Sequence, residues 1–197
     1  MAELKIKNLN EKMNPHFLFN TLNLIHSYIS HKPKISRKAI KYLSGNFDYI
    51  IGDSEKQLVE LSKEKDFVVG YLNLLQMRFP NTFKYSVHIP KKMDTLPIPP
   101  LSLQPIIENS YKHGIRHIKR TGEIRIEGYP WKDGGILKIT DNGKGFADTM
   151  VKSRTLENIS ERFAYYYTRV SILKNNNLKQ NGSNVKIVFF ERKQDSE

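Results

Sequence analysis

The spacing of hydrophobic residues divides the chain into two regions with different patterns. Up to Pro80, apolar positions recur with the period of an α-helix, and breaks occur at Pro33 and Gly52. This period predicts three helices, at about 3–31, 34–51 and 55–79. The pattern of the first region therefore predicts a helical hairpin that needs a packing partner.

Beyond a proline cluster at 97–100 the pattern alternates between strands and helices. The elements predicted around and after the cluster are an extended stretch at 83–89, a helix at about 101–114, strands at 123–127 and 135–140, a helix at about 155–168, a weak strand near 169–174 and a strand at 184–191. This order predicts a mixed α/β layer. The chain as a whole is then an α+β protein with a helical region at 1–80 and an α/β region at 81–197.

The first predicted helix is amphipathic, and its apolar face is wide. At 100° per residue the apolar stripe consists of Leu18, Leu22, Ile25 and Ile29, widened by Phe17, Leu24 and Tyr28. His16 lies on the opposite, polar side, and the amide of Asn20, four residues later, can reach its imidazole. So wide an apolar arc suits a dimeric helical bundle. An exposed helical histidine is also a common surface residue, so His16 alone does not define a site.

A polar helix face follows in the second region. The segment 108–114 carries Glu108, Asn109, Lys112 and His113 on one side of the predicted helix. A carboxylate, an amide and two cationic groups suit Mg²⁺ chelated by nucleotide phosphates, because Mg²⁺ takes few protein oxygens. An ordinary polar face that ends at Gly114 explains the same residues.

A glycine-containing turn follows the predicted strand at 135–140. Asp141 provides a fixed acceptor at the strand end, and its carboxylate can accept a hydrogen bond from the exocyclic amine of adenine. Gly143 and Gly145 permit positive φ and a close approach of the backbone to a ligand. Asp-Asn-Gly is also common turn chemistry. The turn is a specific signal only together with the preceding Asn-containing helix, and Asp141 lies 32 residues after Asn109.

The composition and charge of the chain exclude some classes of function. The 197 residues carry a formal charge of +12, divided evenly between the two halves, and no cysteine. The charge suits an anionic partner, but neither a helix-turn-helix nor a basic-aromatic groove motif supports direct binding of nucleic acid. The lack of cysteine excludes thiolate metal sites and cysteine nucleophiles and fits a reducing cytoplasm. No apolar run is long enough to span a bilayer.

Three segments resemble the sequence boxes of LytS/YesM-type sensor histidine kinases. Residues 13–23 resemble the phosphoacceptor box, 108–114 the N box and 141–145 the G1 box, and 71–79 and 98–105 fit the family pattern between them. The resemblance covers nearly the whole chain. It implies a helical dimerisation and phosphoacceptor hairpin at 1–80, followed by a GHKL-type (Bergerat-type) α/β sandwich ATP-binding domain at 81–197.

The resemblance also implies a function and a set of site residues. A kinase of this family phosphorylates its own histidine from ATP and passes the phosphoryl group to an Asp of a response regulator. His16 would be the phosphoacceptor and Asn20 a group that orients it, and Glu108 would be either a base or a supporting polar group. Asn109 would bind Mg²⁺, and Lys112 and His113 would contact phosphates. Asp141 would bind adenine, and Gly143 and Gly145 would shape the pocket; Thr155 is a further candidate for a phosphate contact, although the family has glycine at its position. We expect a cytoplasmic homodimer, joined to the membrane only through an upstream sensor region absent from this chain.

One segment departs from the family pattern. Where the family commonly has Gly-x-Gly-Leu-x-Asn, residues 153–158 keep Leu156 and Asn158 but have Ser153 and Thr155 in place of glycine. Side chains there can crowd the triphosphate, which predicts weak ATP binding. Their hydroxyls and the amides of the following helix can also contact phosphate. The alternative function is therefore a degenerate, non-catalytic scaffold that signals by dimerisation and binding.

Overall fold

The computed structural model describes residues 15–146, 153–177 and 182–193. Its first region contains three helices: α1 (Pro15–Tyr28), α2 (Pro33–Asp48), which continues into a π-helical turn (Tyr49–Asp53), and α3 (Leu61–Arg78). The three predicted helices are confirmed, although residues 3–14 of the first lie outside the described residues. The third begins later than predicted because β1 (Val59–Glu60) pairs with β3 (Pro97–Ile98) as a two-stranded antiparallel sheet.

The second region is built on a five-stranded sheet. Its strands are β2 (Phe83–His88), β4 (Gly122–Trp131), β5 (Gly134–Asp141), β6 (Tyr167–Asn177) and β7 (Gly182–Arg192), in the order β2-β4-β5-β7-β6. Strands β2 and β4 are parallel, and the other neighbours are antiparallel. All of the strands predicted from the alternation are confirmed.

The second region also contains two helices, α4 (Gln104–Asn109) and α5 (Arg154–Tyr166). Helix α4 continues as a π-helical segment, Ser110–Ile115, in which the Arg116 amide donates to the carbonyl oxygen five residues earlier. Burial alternates over residues 122–128 of β4 and 183–190 of β7, so one sheet face is packed and the other is half-exposed. The rings of Phe163 in α5 and Phe189 in β7 lie 4.9 Å apart in the packed layer.

The buried face of α1 differs from the predicted stripe. Phe17, Thr21 and Ile25 are buried, whereas Leu22 and Ile29 remain about half exposed. The reason is that Phe17 packs against Tyr71 of α3, with ring centroids 4.8 Å apart, which turns this side of α1 inward. Among the described residues, no helix is both long enough and apolar enough to cross a membrane.

A buried carboxylate joins the two regions. Glu64 of α3 is fully buried and accepts hydrogen bonds from the backbone amides of Leu101, Ser102 and Leu103, which lead into α4, and from the Tyr49 hydroxyl. Leu101 has a φ of 55°, so the successive N–H groups converge on one carboxyl group. Burial raises the pKa of Glu64, and these hydrogen bonds oppose the rise. The division at residue 80 stays a prediction, since one hydrophobic cluster extends through both regions.

Candidate active site

A cavity of about 280 Å³ opens between α4, the ends of β5 and β7, and the start of α5. Its polar and glycine residues come from all of these elements. The cavity is lined by Ile106, Asn109, Ser110, His113, Gly114, Asp141, Gly145, Phe146, Ser153, Leu156, Ser183 and Val185. Apolar walls with a few fixed polar groups are typical of a site for a small organic ligand.

Asp141 is the buried charged group of this cavity, with only 1% of its surface exposed. Its Oδ1 accepts from the amide of Gly143 at 2.8 Å and from the amide of Ser183 at 3.3 Å, and its Oδ2 accepts from the Ser183 hydroxyl. An ionised carboxylate has about four lone-pair positions. The three contacts therefore fix the carboxylate and leave room for one more donor.

The two glycines predicted to shape the turn after β5 have different roles in the structure. Gly145 has a φ of 75° and lines the cavity, as predicted for a residue that shapes the turn. Gly143 does not have positive φ in the structure, and its close approach is to the Gly114 backbone, which a Cβ on Gly143 would meet at 2.3 Å. Gly143 therefore holds the turn against α4, and it is Gly114 that faces the cavity instead of ending the helix.

The four polar residues of segment 108–114 do not converge on one point. Asn109 and His113 line the nucleotide-sized cavity, whereas Glu108 and Lys112 form an ion pair on the neighbouring side of the helix. Glu108 and Lys112 form one i, i+4 pair and Asn109 and His113 form another, and the two pairs lie on adjacent stripes of the helix. The π-helical continuation also shifts the direction of the later side chains. Of the carboxylate, amide, ammonium and imidazole groups, only the amide and the imidazole thus face the cavity.

The fit to Mg²⁺ rests on Asn109. In the described segments no group of three or more His, Asp or Glu side chains could hold a metal ion. Asn109 is an exposed residue that lines the cavity, and its amide oxygen is a hard ligand. One protein oxygen suits Mg²⁺ that takes most of its other ligands from phosphates and water.

A second, smaller concavity of about 60 Å³ lies on the other side of α4. We call it the His16 groove, and it is lined by His16, Phe17, Tyr71, Leu75, Arg78, Phe79, Glu108, Tyr111, Lys112 and Arg116. His16 is exposed on the first turn of α1. The structure thus brings the predicted phosphoacceptor and the predicted base Glu108 together in one groove.

Asn20 lies beside His16 but contacts its backbone. The Asn20 amide nitrogen donates to the main-chain carbonyl oxygen of His16. A side chain at i+4 points toward the helix N-terminus and reaches this carbonyl readily. The expected contact with the imidazole is therefore replaced by one with the helix backbone.

The segment that departs from the family pattern begins at Ser153. Ser153 precedes α5 and lines the cavity, but its hydroxyl makes no capping hydrogen bond to the helix. Thr155 is half-buried and does not belong to the cavity lining. Of the two residues that replace glycine, Ser153 is the one placed to affect a ligand.

Two residues of these sites were not predicted from the sequence. Ser183 reaches Asp141 from β7, and only the strand pairing, in which Asn184 lies opposite Thr140, shows this proximity. Arg78 lines the His16 groove from the end of α3. Its position within the family-like segment 71–79 was the available signal.

The helical hairpin and the sheet layer with its cavity define a GHKL-type α/β sandwich joined to a helical hairpin. The fold is similar to that of the histidine kinase domain from Erythrobacter litoralis EL346 blue-light activated histidine kinase. That comparison has a TM-score of 0.53 and 13% identity, and it covers 96% of this chain and 95% of the other.

Sequence comparisons identify the family. A family model described as "Histidine kinase" matches residues 4–83. The sensor protein LytS of Oceanobacillus iheyensis is 33% identical over 151 residues, covering 77% of this chain and 26% of the relative. LytS of Enterococcus faecalis is 28% identical over 198 residues, covering 94% of this chain and 34% of the relative. The chain belongs to the histidine kinase family and is of the LytS type; it spans about a quarter to a third of the length of these relatives.

Proposed function

We propose that this chain transfers the γ-phosphoryl group of ATP to His16 and then to an aspartate of a response regulator receiver domain. The observation that carries the proposal is the position of one helix, Gln104–Ile115, between two sites. Asn109 and His113 face the cavity that contains Asp141, and Glu108 and Lys112 face the groove that contains His16. A nucleotide bound on one side thus lies next to an acceptor on the other.

In this proposal the cavity binds and orients ATP. Asp141 accepts a hydrogen bond from the adenine amino group, and the Gly143 and Ser183 contacts keep its carboxylate in place. Asn109 holds Mg²⁺, which supplies charge neutralisation at the phosphates when it is bound. His113 stands on the same side of the helix and contacts phosphate oxygens.

The His16 groove performs the transfer. A ring nitrogen of His16 attacks the γ-phosphorus, the bond from phosphorus to the ADP oxygen breaks, and Glu108 accepts the proton that leaves the imidazole. Lys112 pairs with Glu108 and is also available to phosphate oxygens as they arrive. Phosphoryl transfer depends mainly on positioning and on neutralisation of charge, so this small set of groups is sufficient.

The assembly we propose is a homodimer through the helical hairpin. Phe19 of α1 is 67% exposed, and Leu22 of the same helix and Ile29, directly after it, are also exposed. Contiguous exposed apolar side chains on a helix commonly mark an interface. The same proposal places the chain in the cytoplasm, connected to a sensor region in the full-length receptor.

The test uses γ-labelled ATP with Mg²⁺ and compares the wild-type chain with His16→Gln and, as a matched control, His26→Gln. His26 is an exposed histidine of the same helix that lies outside the groove. We expect acid-labile label on the wild type and on the His26 variant and none on the His16 variant. A folded wild-type chain that binds ATP yet takes up no label would overturn the kinase proposal and favour the non-catalytic scaffold.

A further inference from the structure

The His16 groove holds more positive charge than the proposed proton transfer uses. Three cations line it: Arg78, Lys112 and Arg116. Lys112 is engaged by Glu108, whereas neither Arg78 nor Arg116 forms an ion pair with a carboxylate of the described residues. Among the described residues, these two guanidinium groups of the groove therefore have no carboxylate partner.

Arg78 is held in place by aromatic rings. Its guanidinium lies over the Phe79 ring, 4.7 Å from the centroid. The rings of Phe79 and Tyr111 are 5.7 Å apart, and those of Phe17 and Tyr71 are 4.8 Å apart, so the floor of the groove is apolar. An arginine on such a floor attracts an anion more strongly than one surrounded by water, because the local dielectric constant is lower.

The electrostatic effect of Arg78 extends to the phenols of this floor. Burial raises the pKa of Tyr71 and of Tyr111, and the charge of Arg78 opposes the rise at both. Arg116 acts on Tyr111 in the same direction. At Tyr71 the charge of Glu108 acts in the opposite sense, so the groove contains charges of both signs.

The groove also has room for a small anion. Its volume of about 60 Å³ is several times the roughly 10–15 Å³ that a single water needs. A phosphoryl group is about the size of a few water molecules and therefore fits in this volume. His16, Arg78 and Arg116 all belong to the lining of this volume.

We propose that Arg78, assisted by Arg116, forms a phosphoryl-binding subsite beside His16. The subsite binds the oxygens of the phosphoryl group as it transfers from ATP and retains them while the group is bonded to the imidazole. Guanidinium suits this role because its planar donors bind two phosphate oxygens at once. The inference rests on the proposed function and adds a catalytic residue from α3, outside both the phosphoacceptor box and the N box.

The first experiment measures the rate of His16 labelling at saturating ATP in Arg78→Met, Arg78→Lys and Arg116→Met. Methionine keeps an apolar contact with Phe79 and removes the charge. We expect Arg78→Met to slow labelling by about 100-fold or more, Arg78→Lys to recover part of the rate, and Arg116→Met to have a smaller effect. ATP affinity should stay within about twofold of wild type, because Arg78 does not line the nucleotide cavity.

Two controls separate a chemical role from a structural one. Arg37→Met removes an exposed arginine of α2, outside both sites, and should label at the wild-type rate. Millimolar guanidinium chloride should restore part of the activity of Arg78→Ala. Rescue by the free cation would not occur if the substitution had only disturbed packing. A labelling rate of Arg78→Met within threefold of wild type would overturn the subsite and leave the kinase proposal intact.

A second experiment tests the subsite without ATP. Phosphoramidate can phosphorylate His16 directly: the phosphorus–nitrogen bond of the reagent breaks, ammonia leaves and the ring nitrogen bonds to phosphorus. The ³¹P resonance that is lost in His16→Gln identifies phosphorylated His16. We expect its phosphoryl pKa to be about half a unit or more lower in the wild type than in Arg78→Met, because a nearby cation favours the dianion. Equal pKa values would overturn the subsite even if ATP labels neither protein.

Discussion

The nucleotide cavity and the His16 groove lie on two sides of one helix, and they are built in opposite ways. In the cavity, the central charge is buried and already hydrogen-bonded by the protein, as the contacts of Asp141 with Gly143 and Ser183 show. In the groove, His16 is exposed and the charged groups around it are partly exposed. In the proposed function, the cavity is thus preorganised to bind ATP, whereas the groove is completed by the arriving phosphoryl group.

This contrast separates binding from chemistry along the helix Gln104–Ile115. Substitutions on the cavity side should change the affinity for ATP, and those on the groove side should change the rate at saturating ATP. A set of matched variants can contradict this division between binding and chemistry or define it in more detail.

The largest effect is expected for Glu108→Gln. Glutamine keeps the shape of the side chain but cannot accept the proton of His16, so labelling at saturating ATP should slow by about 100-fold or more. ATP affinity, measured by calorimetry, should remain within about twofold. Glu161→Gln, an exposed acid on α5, is the control. Weakened ATP binding in Glu108→Gln with an unchanged rate would place Glu108 in the nucleotide site and contradict the division.

Asp141→Asn should weaken ATP binding by about 100-fold. The substitution removes a charge-assisted hydrogen bond to adenine and leaves an amide among donors, which together cost about 3 kcal/mol. Calorimetric titration with ATP and with ADP should show the same loss, since both contain adenine. The matched control is Asp133→Asn, whose carboxylate accepts from the amides of Glu191 and Arg192 at the far end of the sheet. Equal ATP affinities for Asp141→Asn and the wild type would exclude Asp141 from adenine recognition.

Glu64→Gln should lower the free energy of unfolding by about 1–3 kcal/mol, because an amide group replaces an acceptor that is surrounded by donors. The raised pKa of Glu64 also sets a pH dependence. The folded protein binds this proton more tightly than the unfolded chain, so the associated stability is complete below the ordinary glutamate pKa of 4.5. It is lost as pH rises through the folded pKa.

Denaturant titrations of both proteins from pH 4 to pH 8 measure this effect. The difference in stability between the wild type and Glu64→Gln should be largest at the acidic end. A difference that grows with rising pH would show that the hydrogen bonds from Leu101 to Leu103 prevail over burial and that Glu64 folds as an anion.

The smallest effect is expected for Ser153→Gly, which should strengthen ATP binding by a few-fold. Ser153 lines the cavity where the family commonly has glycine, and removal of its side chain makes room for the triphosphate. Thr155→Gly is the comparison, and we expect a weaker effect because Thr155 lies outside the lining. Affinity for ATP that falls in Ser153→Gly would mean that the serine hydroxyl contacts phosphate, and the prediction of crowding would be wrong.

The comparison of the two sites also shows what a sequence can predict. The strands of the sheet followed from alternation, because one face is packed and the other is half-exposed. His16, Asn109 and Asp141 were predicted as site residues from the resemblance of three short segments to family boxes, because their residue types alone also fit an ordinary helix face or turn. These features depend on local pattern.

Other features depend on contacts distant in the chain and could not be predicted. Ser183 reaches Asp141 only through the register of β5 and β7. Leu22 and Ile29 of the predicted apolar stripe stay about half exposed because Phe17 packs on Tyr71, a contact that helical periodicity alone does not contain. The π-helical turn after Asn109 likewise divided a polar face that regular helical geometry had treated as one.

The central claim is that the phosphoryl group of ATP becomes bonded to His16. The most direct measurement incubates the wild-type chain with Mg·ATP at neutral pH and maps the modified residue by mass spectrometry under conditions that preserve phosphohistidine. The account predicts that, of the six histidines, only His16 gains the mass of a phosphoryl group. Phosphate found on another residue, or on none while ATP binds, would contradict it.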